Sequence, residues 1–263
     1  MVEGEEMKNA REILIRILGC IALSARGSCE WTRMPKSERQ KDLAIVKQWM
    51  EFESEIYEQF TEKEKKLFET RIGSIKRKKV SEFVWYWEAT EVLAWTIGLI
   101  DGIEIPYYKE NTTDVMRVLD EKTGILPLTK GTPYKLIQKF ANNHVIDSIL
   151  AHAHIRDTRI VEEERDRAMI WHWRAMEGKD NIFQQVPFIS IIEKTFGDPS
   201  VTKIVDSLPI ANDGMDLLVG KMKKFSSMSR EEIHYAEFLS EWRQKALEWV
   251  LNNESWDDTT PDT

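Results

Sequence analysis

Residues 83–100 read FVWYWEATEVLAWTIGLI, and the way this stretch is buried decides the fold. Wound as a helix it is apolar on nearly every side, and such a helix belongs inside a protein core or a membrane. Glu88 and Glu91 lie within it, and each carboxylate is expensive in hydrocarbon. The run is also at the short limit for a bilayer span. The reading is therefore a buried central helix near residues 80–100.

Working outward, helical periodicity recurs and no strand-like alternation is sustained. Upstream, Ile13, Leu14, Ile17, Leu18 and Ile21 share one face of a helix from about residue 7 to 26, with Gly27 as its stop. Ser37 with Gln40, Thr61 with Glu64 and Ser229 with Glu232 have capping-box spacing. They predict helices from Ser37 to about Met50, from Thr61 toward Lys79, and from Ser229 to about Leu251. Residues 134–177 are almost free of Gly and Pro and predict two helices broken near 157–159. The segment at about 178–228 is less regular, with Gly197-Asp198-Pro199, Pro209, Gly214 and Gly220. No repeat, low-complexity tract or linker divides the chain. The expectation is an all-α fold, one compact multi-helix domain over residues 1–263.

Ten Trp in 263 residues make the core rich in large rings. Lys and Arg number 37 against 45 Asp and Glu, a net charge of −8. Such a surface repels phosphate backbones and anionic lipid heads at long range. Cys20 and Cys29 are too few for a disulfide framework and are not spaced as a zinc or redox pair. The acidic start, Met-Val-Glu-Gly-Glu-Glu, is unlike a secretory signal. A reducing cytoplasm is the expected compartment.

The chain has no P-loop, dinucleotide glycine pattern, nucleophile elbow or zinc-protease helix. His152-Ala153-His154 invites a metal reading, but residues two apart on a helix point about 200° apart. Asp147 and His154 share a side yet lie about 10 Å apart along it, too far for one first shell. No metal and no cofactor is expected. On the central helix, Val84, Glu88, Glu91 and Trp95 form one stripe. Two carboxylates on one face beside Trp87 and Trp95 could serve acid–base chemistry, since burial and mutual repulsion raise one pKa. The simpler reading is that they are the polar exit of a nearly buried helix, Glu88 pairing with an arginine such as Arg174.

Trp171-His172-Trp173-Arg174 must turn at least one indole inward, and Arg174 could reach a buried carboxylate. Lys76-Arg77-Lys78-Lys79 and the trio Lys221, Lys223 and Lys224 are basic clusters. Neither is interleaved with aromatics as a single-strand binder would be. The first is read as a solvated helix C-terminus, where cations suit the dipole. At the end, Trp256-Asp257 begins an acidic tail whose indole either docks on the core or recruits a partner.

These motifs, in this order, resemble a bacterial family catalogued as domain of unknown function 4272. Its pattern has an early Arg-Ala-rich helix, a Trp-Arg-x-Glu-Ala helix running into Leu-Trp-Ala-Leu-Gly-Leu, and in longer members a Trp-His-Trp-Arg element. Trp85, Glu88 and Ala89, followed by Leu93-Ala94-Trp95-Thr96-Ile97-Gly98-Leu99, resemble the middle element. Trp171 to Arg174 resembles the third. Arg243, Ala246, Leu247 and Trp249, then Trp256-Asp257 and Asp262-Thr263, resemble the family's closing pattern. Tyr86 departs from the family's Arg, Gln244 from a common His, and Glu248 from Asn. The resemblance implies an all-helical fold and a bacterial origin, and it carries over no catalytic residue.

Three functions from different classes follow. The first is a non-enzymatic protein-binding module, in one form an immunity-type neutraliser of a basic toxin or effector. Trp171, Arg174, Trp256 and Asp257 are its candidate contacts. The second is a hydrolase working through Glu88 and Glu91, with His172 as a further candidate. The third is a nucleic-acid regulator using Lys76-Arg77-Lys78-Lys79, which the net charge disfavours. The partner expected is a basic protein, with neither a membrane nor nucleic acid.

Overall fold

A computed structural model describes residues 7–31, 34–52, 54–103, 145–179, 188, 190, 215–219 and 223–261. These residues are mostly helical. Helices α1 (Ala10–Trp31), α2 (Lys36–Phe52), α3 (Ser54–Glu58), α4 (Glu62–Glu69) and α5 (Arg77–Thr96) come first. Then come α6 (Val145–Leu150) and α7 (Thr158–Lys179), a hairpin of β1 (Leu218–Val219) and β2 (Lys223–Lys224), and α8 (Arg230–Leu251). The hairpin is antiparallel, with Leu218 opposite Lys224. The all-α expectation holds. Among the described residues, no helix is long and apolar enough to cross a membrane.

The chain falls into two compact units. The first holds the described residues up to Ile103, those from 145 to Arg156, and Trp249 to Thr259; the second holds Asp157 to Glu248 and the residues after Thr259.

In the first unit α5 packs on α1. Ala89, Val92, Leu93 and Ala94 are fully buried, as are Ile13 and Ile17 of α1. Gly27 does not stop α1, which runs on to Trp31. Its role is contact: a Cβ there would fall 2.1 Å from Cβ of Phe83 on α5. The start of α1 is set by Asn9, whose side chain accepts from the Arg11 and Glu12 amides at 3.0 Å while Glu12 accepts from the Asn9 amide. That reciprocal cap places the start three residues later than periodicity alone suggested.

The Thr61–Glu64 and Ser229–Glu232 capping boxes both form. Ser37–Gln40 does not open α2. The helix begins a residue earlier, and the Pro35 carbonyl accepts from the Glu38 and Arg39 amides. Nor does the helix from Thr61 reach Lys79. It ends at Glu69, where Arg26 of α1 donates to the Phe68 and Thr70 carbonyls. Gly73, at φ +83°, then reverses the chain, and its amide donates to Glu30 at 2.8 Å. Tertiary donors satisfy the carbonyls left open at a helix end, so the chain stops where Arg26 waits.

Helix α5 ends in the same way. Gly98 has φ +68°, and Arg156 donates from Nε to the Trp95 carbonyl at 2.8 Å and from its terminal nitrogen to the Ile100 carbonyl. The helical stretch predicted through the two histidines is interrupted: α6 ends at Leu150, and the chain from residue 151 to 157 is turn and coil.

In the second unit, α7 and α8 enclose a core of Ile170, Trp171, Ala175, Phe188, Val219, Phe225 and Ala236. Trp171 packs on Phe225 at 6.0 Å between ring centres, and Trp173 meets the edge of Phe188 at 6.3 Å.

Candidate functional site

Glu88 and Glu91 both point into packed surroundings. The residues are only 3% and 7% exposed, as a helix buried on all sides requires. Trp95 is buried too, beneath the guanidinium of Arg156 at 4.8 Å. The side chain of Val84 lies outside the described residues.

In the second unit, Arg174 has the buried carboxylate that its position beside Trp171 suggested. That carboxylate is Asp216, 42 residues along the chain. Arg174 donates to it at 2.7 and 3.1 Å, and the Ser226 amide donates to the same carboxylate. Burial pushes the Asp216 carboxyl up, but Arg174 and Ser226 outweigh it and hold the group below its ordinary range. His172 is buried, with Nδ1 3.2 Å from the Gln244 side-chain oxygen. Nearby on the same two helices, Glu164 pairs with Arg167. Burial raises its carboxyl above the ordinary value despite Arg167 and Arg243. Arg165 joins Asp166 to Glu248.

The tail indole docks on the core. Trp256 is 4% exposed; it stacks on the Arg16 guanidinium at 3.9 Å and meets Trp249 edge-on at 5.6 Å. Asp257 reaches Lys63 at 3.5 Å. Trp256 thus closes over the ion pair between Arg16 and Glu64, to which the Tyr86 hydroxyl adds a hydrogen bond.

The basic cluster sits at the start of α5, not at a helix C-terminus as its sequence suggested. The reason is the early end of α4. Lys79 pairs with Glu82 at 3.0 Å, and the side chains of Arg77 and Lys78 lie outside the described residues, as does Lys221. Lys223 pairs with Glu232. The Asp147 carboxylate of α6 is taken by Arg11 at 3.0 Å. No group of three His, Cys, Asp or Glu side chains converges on a metal-sized site among the described residues.

A different place has the shape of a binding site. An open groove of about 490 Å³ runs between the ends of α2, α3 and α4. Its lining includes Met50, Tyr57 and Phe68, with Glu51, Glu58 and Glu69 as carboxylates and Lys47 as the cation. The floor is aromatic: Tyr57 packs on Phe60 at 5.8 Å, and Phe60 meets Phe68 edge-on at 5.7 Å. Lys47 pairs with Glu69, whereas Glu51 and Glu58 have no ion pair among the described residues. Sequence reading missed this site. One signal was there, Met50-Glu51 and Tyr57-Glu58 repeating an apolar–acid pair seven residues apart. Nothing in the sequence folds α4 back against the pair.

The model of the family described as "Domain of unknown function (DUF4272)" matches residues 2–182. The closing motifs around Trp249 and Trp256 lie beyond that match. No curated protein and no solved structure matches the chain.

Proposed function

The chain belongs to the DUF4272 family, and from that premise we propose that it is a non-catalytic protein-binding module for a basic partner. The observation that carries the proposal is the groove between α2, α3 and α4, with an aromatic and Met floor and exposed carboxylates at Glu51 and Glu58. Met50 and Phe68 are already buried, so the half-exposed Tyr57 is the apolar anchor a partner can cover. Charges around it steer and orient the partner. The net charge of −8 adds a long-range attraction for a basic protein. The free, buried thiols of Cys20 and Cys29 suit a reducing cytoplasm. Neutralisation of a basic toxin or effector in a bacterial cytoplasm is one form that such binding takes. A hydrolase would need substrate to reach Glu88 and Glu91, and the burial of both weighs against that route.

The test is capture of tagged full-length protein from its host beside the double variant Glu51→Lys/Glu58→Lys. One basic protein at near-equal stoichiometry is expected with the native chain, and its loss with the variant. No stoichiometric partner, or one that the variant retains equally, would overturn the proposal.

A further inference from the structure

We infer that the α2–α3–α4 groove is a seat for an arginine side chain of the partner, and that Lys47 is the seat's internal competitor. This rests on the reading of the groove as a protein-binding site. The Lys47 ammonium lies 5.8 Å from the centre of the Phe68 ring while pairing with Glu69. The chain therefore places one of its own cations between an aromatic face and a carboxylate inside the groove. That combination is what a guanidinium takes best, since its planar fork can stack on the ring and bind a carboxylate through two N–H groups together. An ammonium is a point charge and makes a poorer fit.

The occupant follows from charge. Around one lysine the groove sets Glu51, Glu58 and Glu69, and only Glu69 has an ion pair among the described residues. A second cation is the complementary guest. Lys47 is held weakly, because its side chain is 37% exposed and that of Glu69 is 49% exposed. It can swing to solvent when an arginine enters. Phe68 packs on Phe60 and is only 1% exposed, so a guanidinium reaches the ring edge at the groove only where the Lys47 ammonium now sits.

The test is calorimetric titration of the full chain with the peptide acetyl-Arg-Leu-Gly-Arg-amide and with its citrulline counterpart, which keeps the shape and loses the charge. The proteins are the native chain, Lys47→Met, Lys47→Gln, Lys223→Met as a remote charge control, and Glu51→Lys/Glu58→Lys. Both Lys47 variants should bind the arginine peptide roughly two- to five-fold more tightly than the native chain, the scale of one exposed ion pair. Lys223→Met should match the native chain, and the double-lysine variant should lose binding. The inference is overturned if the Lys47 variants bind no more tightly, if the citrulline peptide binds equally, or if no protein binds the arginine peptide. Should a host partner still depend on Glu51 and Glu58 in that event, the protein-binding reading stands and the arginine seat alone fails.

Discussion

Arg16 of α1 and Glu64 of α4 form a two-pronged ion pair at residues only 2% and 1% exposed, 48 residues apart in the chain. Glu64 also closes the capping box of its own helix by accepting from the Thr61 amide at 3.0 Å. One carboxylate thereby starts α4, ties it to α1 and, through Arg16, seats the Trp256 indole. Removing either partner strands a buried charge, which costs about 3–5 kcal/mol. Arg16→Met and Glu64→Gln should each lower the urea midpoint by that equivalent. Replacing both with apolar residues should recover part of the loss. A single variant as stable as the native chain would show that the pair is not closed in solution.

Acid should weaken the protein through the same group. Burial pushes the Glu64 carboxyl up, but Arg16, the Thr61 amide and the Tyr86 hydroxyl together hold it below its ordinary 4.5. Asp216 is likewise held below 3.8, by Arg174 and Ser226 against burial. A carboxyl lowered in the folded state binds fewer protons there than in the unfolded chain. Its stabilisation is present above the ordinary pKa and is lost as pH falls through that value toward the lowered one. Urea midpoints should therefore drop below about pH 5. Glu64→Gln should flatten that drop, and an unchanged slope in the variant would remove Glu64 as its source.

The thiols make the opposite prediction at the basic end. Burial pushes Cys20 up to about 12, with Arg16 partly opposing, and Cys29 up to about 11, both from an ordinary 9.0. The folded state keeps the proton that the unfolded chain releases, so stability is full below pH 9.0 and declines between there and the raised values. At pH 8 a thiol-specific reagent should modify neither cysteine until urea unfolds the chain. Cys20→Ala should lessen the alkaline decline. Stoichiometric labelling of the native protein within minutes would contradict this burial.

Two glycines test the close approaches. Gly98 has φ +68°, and a Cβ added there would fall 2.1 Å from Cε1 of His154. Gly98→Ala should cost about 1–3 kcal/mol from the backbone alone. Adding His154→Ala should relieve the clash and leave the backbone cost. Gly27→Ala drives a methyl into Phe83 on α5, an overpacking of about 1–3 kcal/mol. Thermal melts of the three variants measure these shifts, and an unchanged melting temperature for Gly27→Ala would mean that α1 and α5 sit farther apart.

Much of the framework was legible in the sequence because it is set by local chemistry. Thr61–Glu64 and Ser229–Glu232 span three residues each and form as spaced. The apolar periodicity of α1 and the all-round apolarity of α5 fix which helices are buried, since the hydrophobic effect acts on each helix face without needing to know the partner. The Trp256 indole is large enough that burial was its expected fate.

What the tertiary structure alone decided is where helices end and which charges meet. The end of α4 depends on Arg26, 42 residues away from the Phe68 carbonyl it takes. The continuation of α1 through Gly27 depends on Phe83. Arg174 was readable as a cation seeking a buried carboxylate. The choice of Asp216 was not readable, because Coulomb attraction carries no address in sequence and acts only once folding sets the distance. For the same reason the sequence showed only the apolar–acid pairs Met50-Glu51 and Tyr57-Glu58, and α3, which carries the second pair, was not predicted from it. Only the packing of α4 against them, with Phe68 as floor and Lys47 bent over it, made a groove of those side chains.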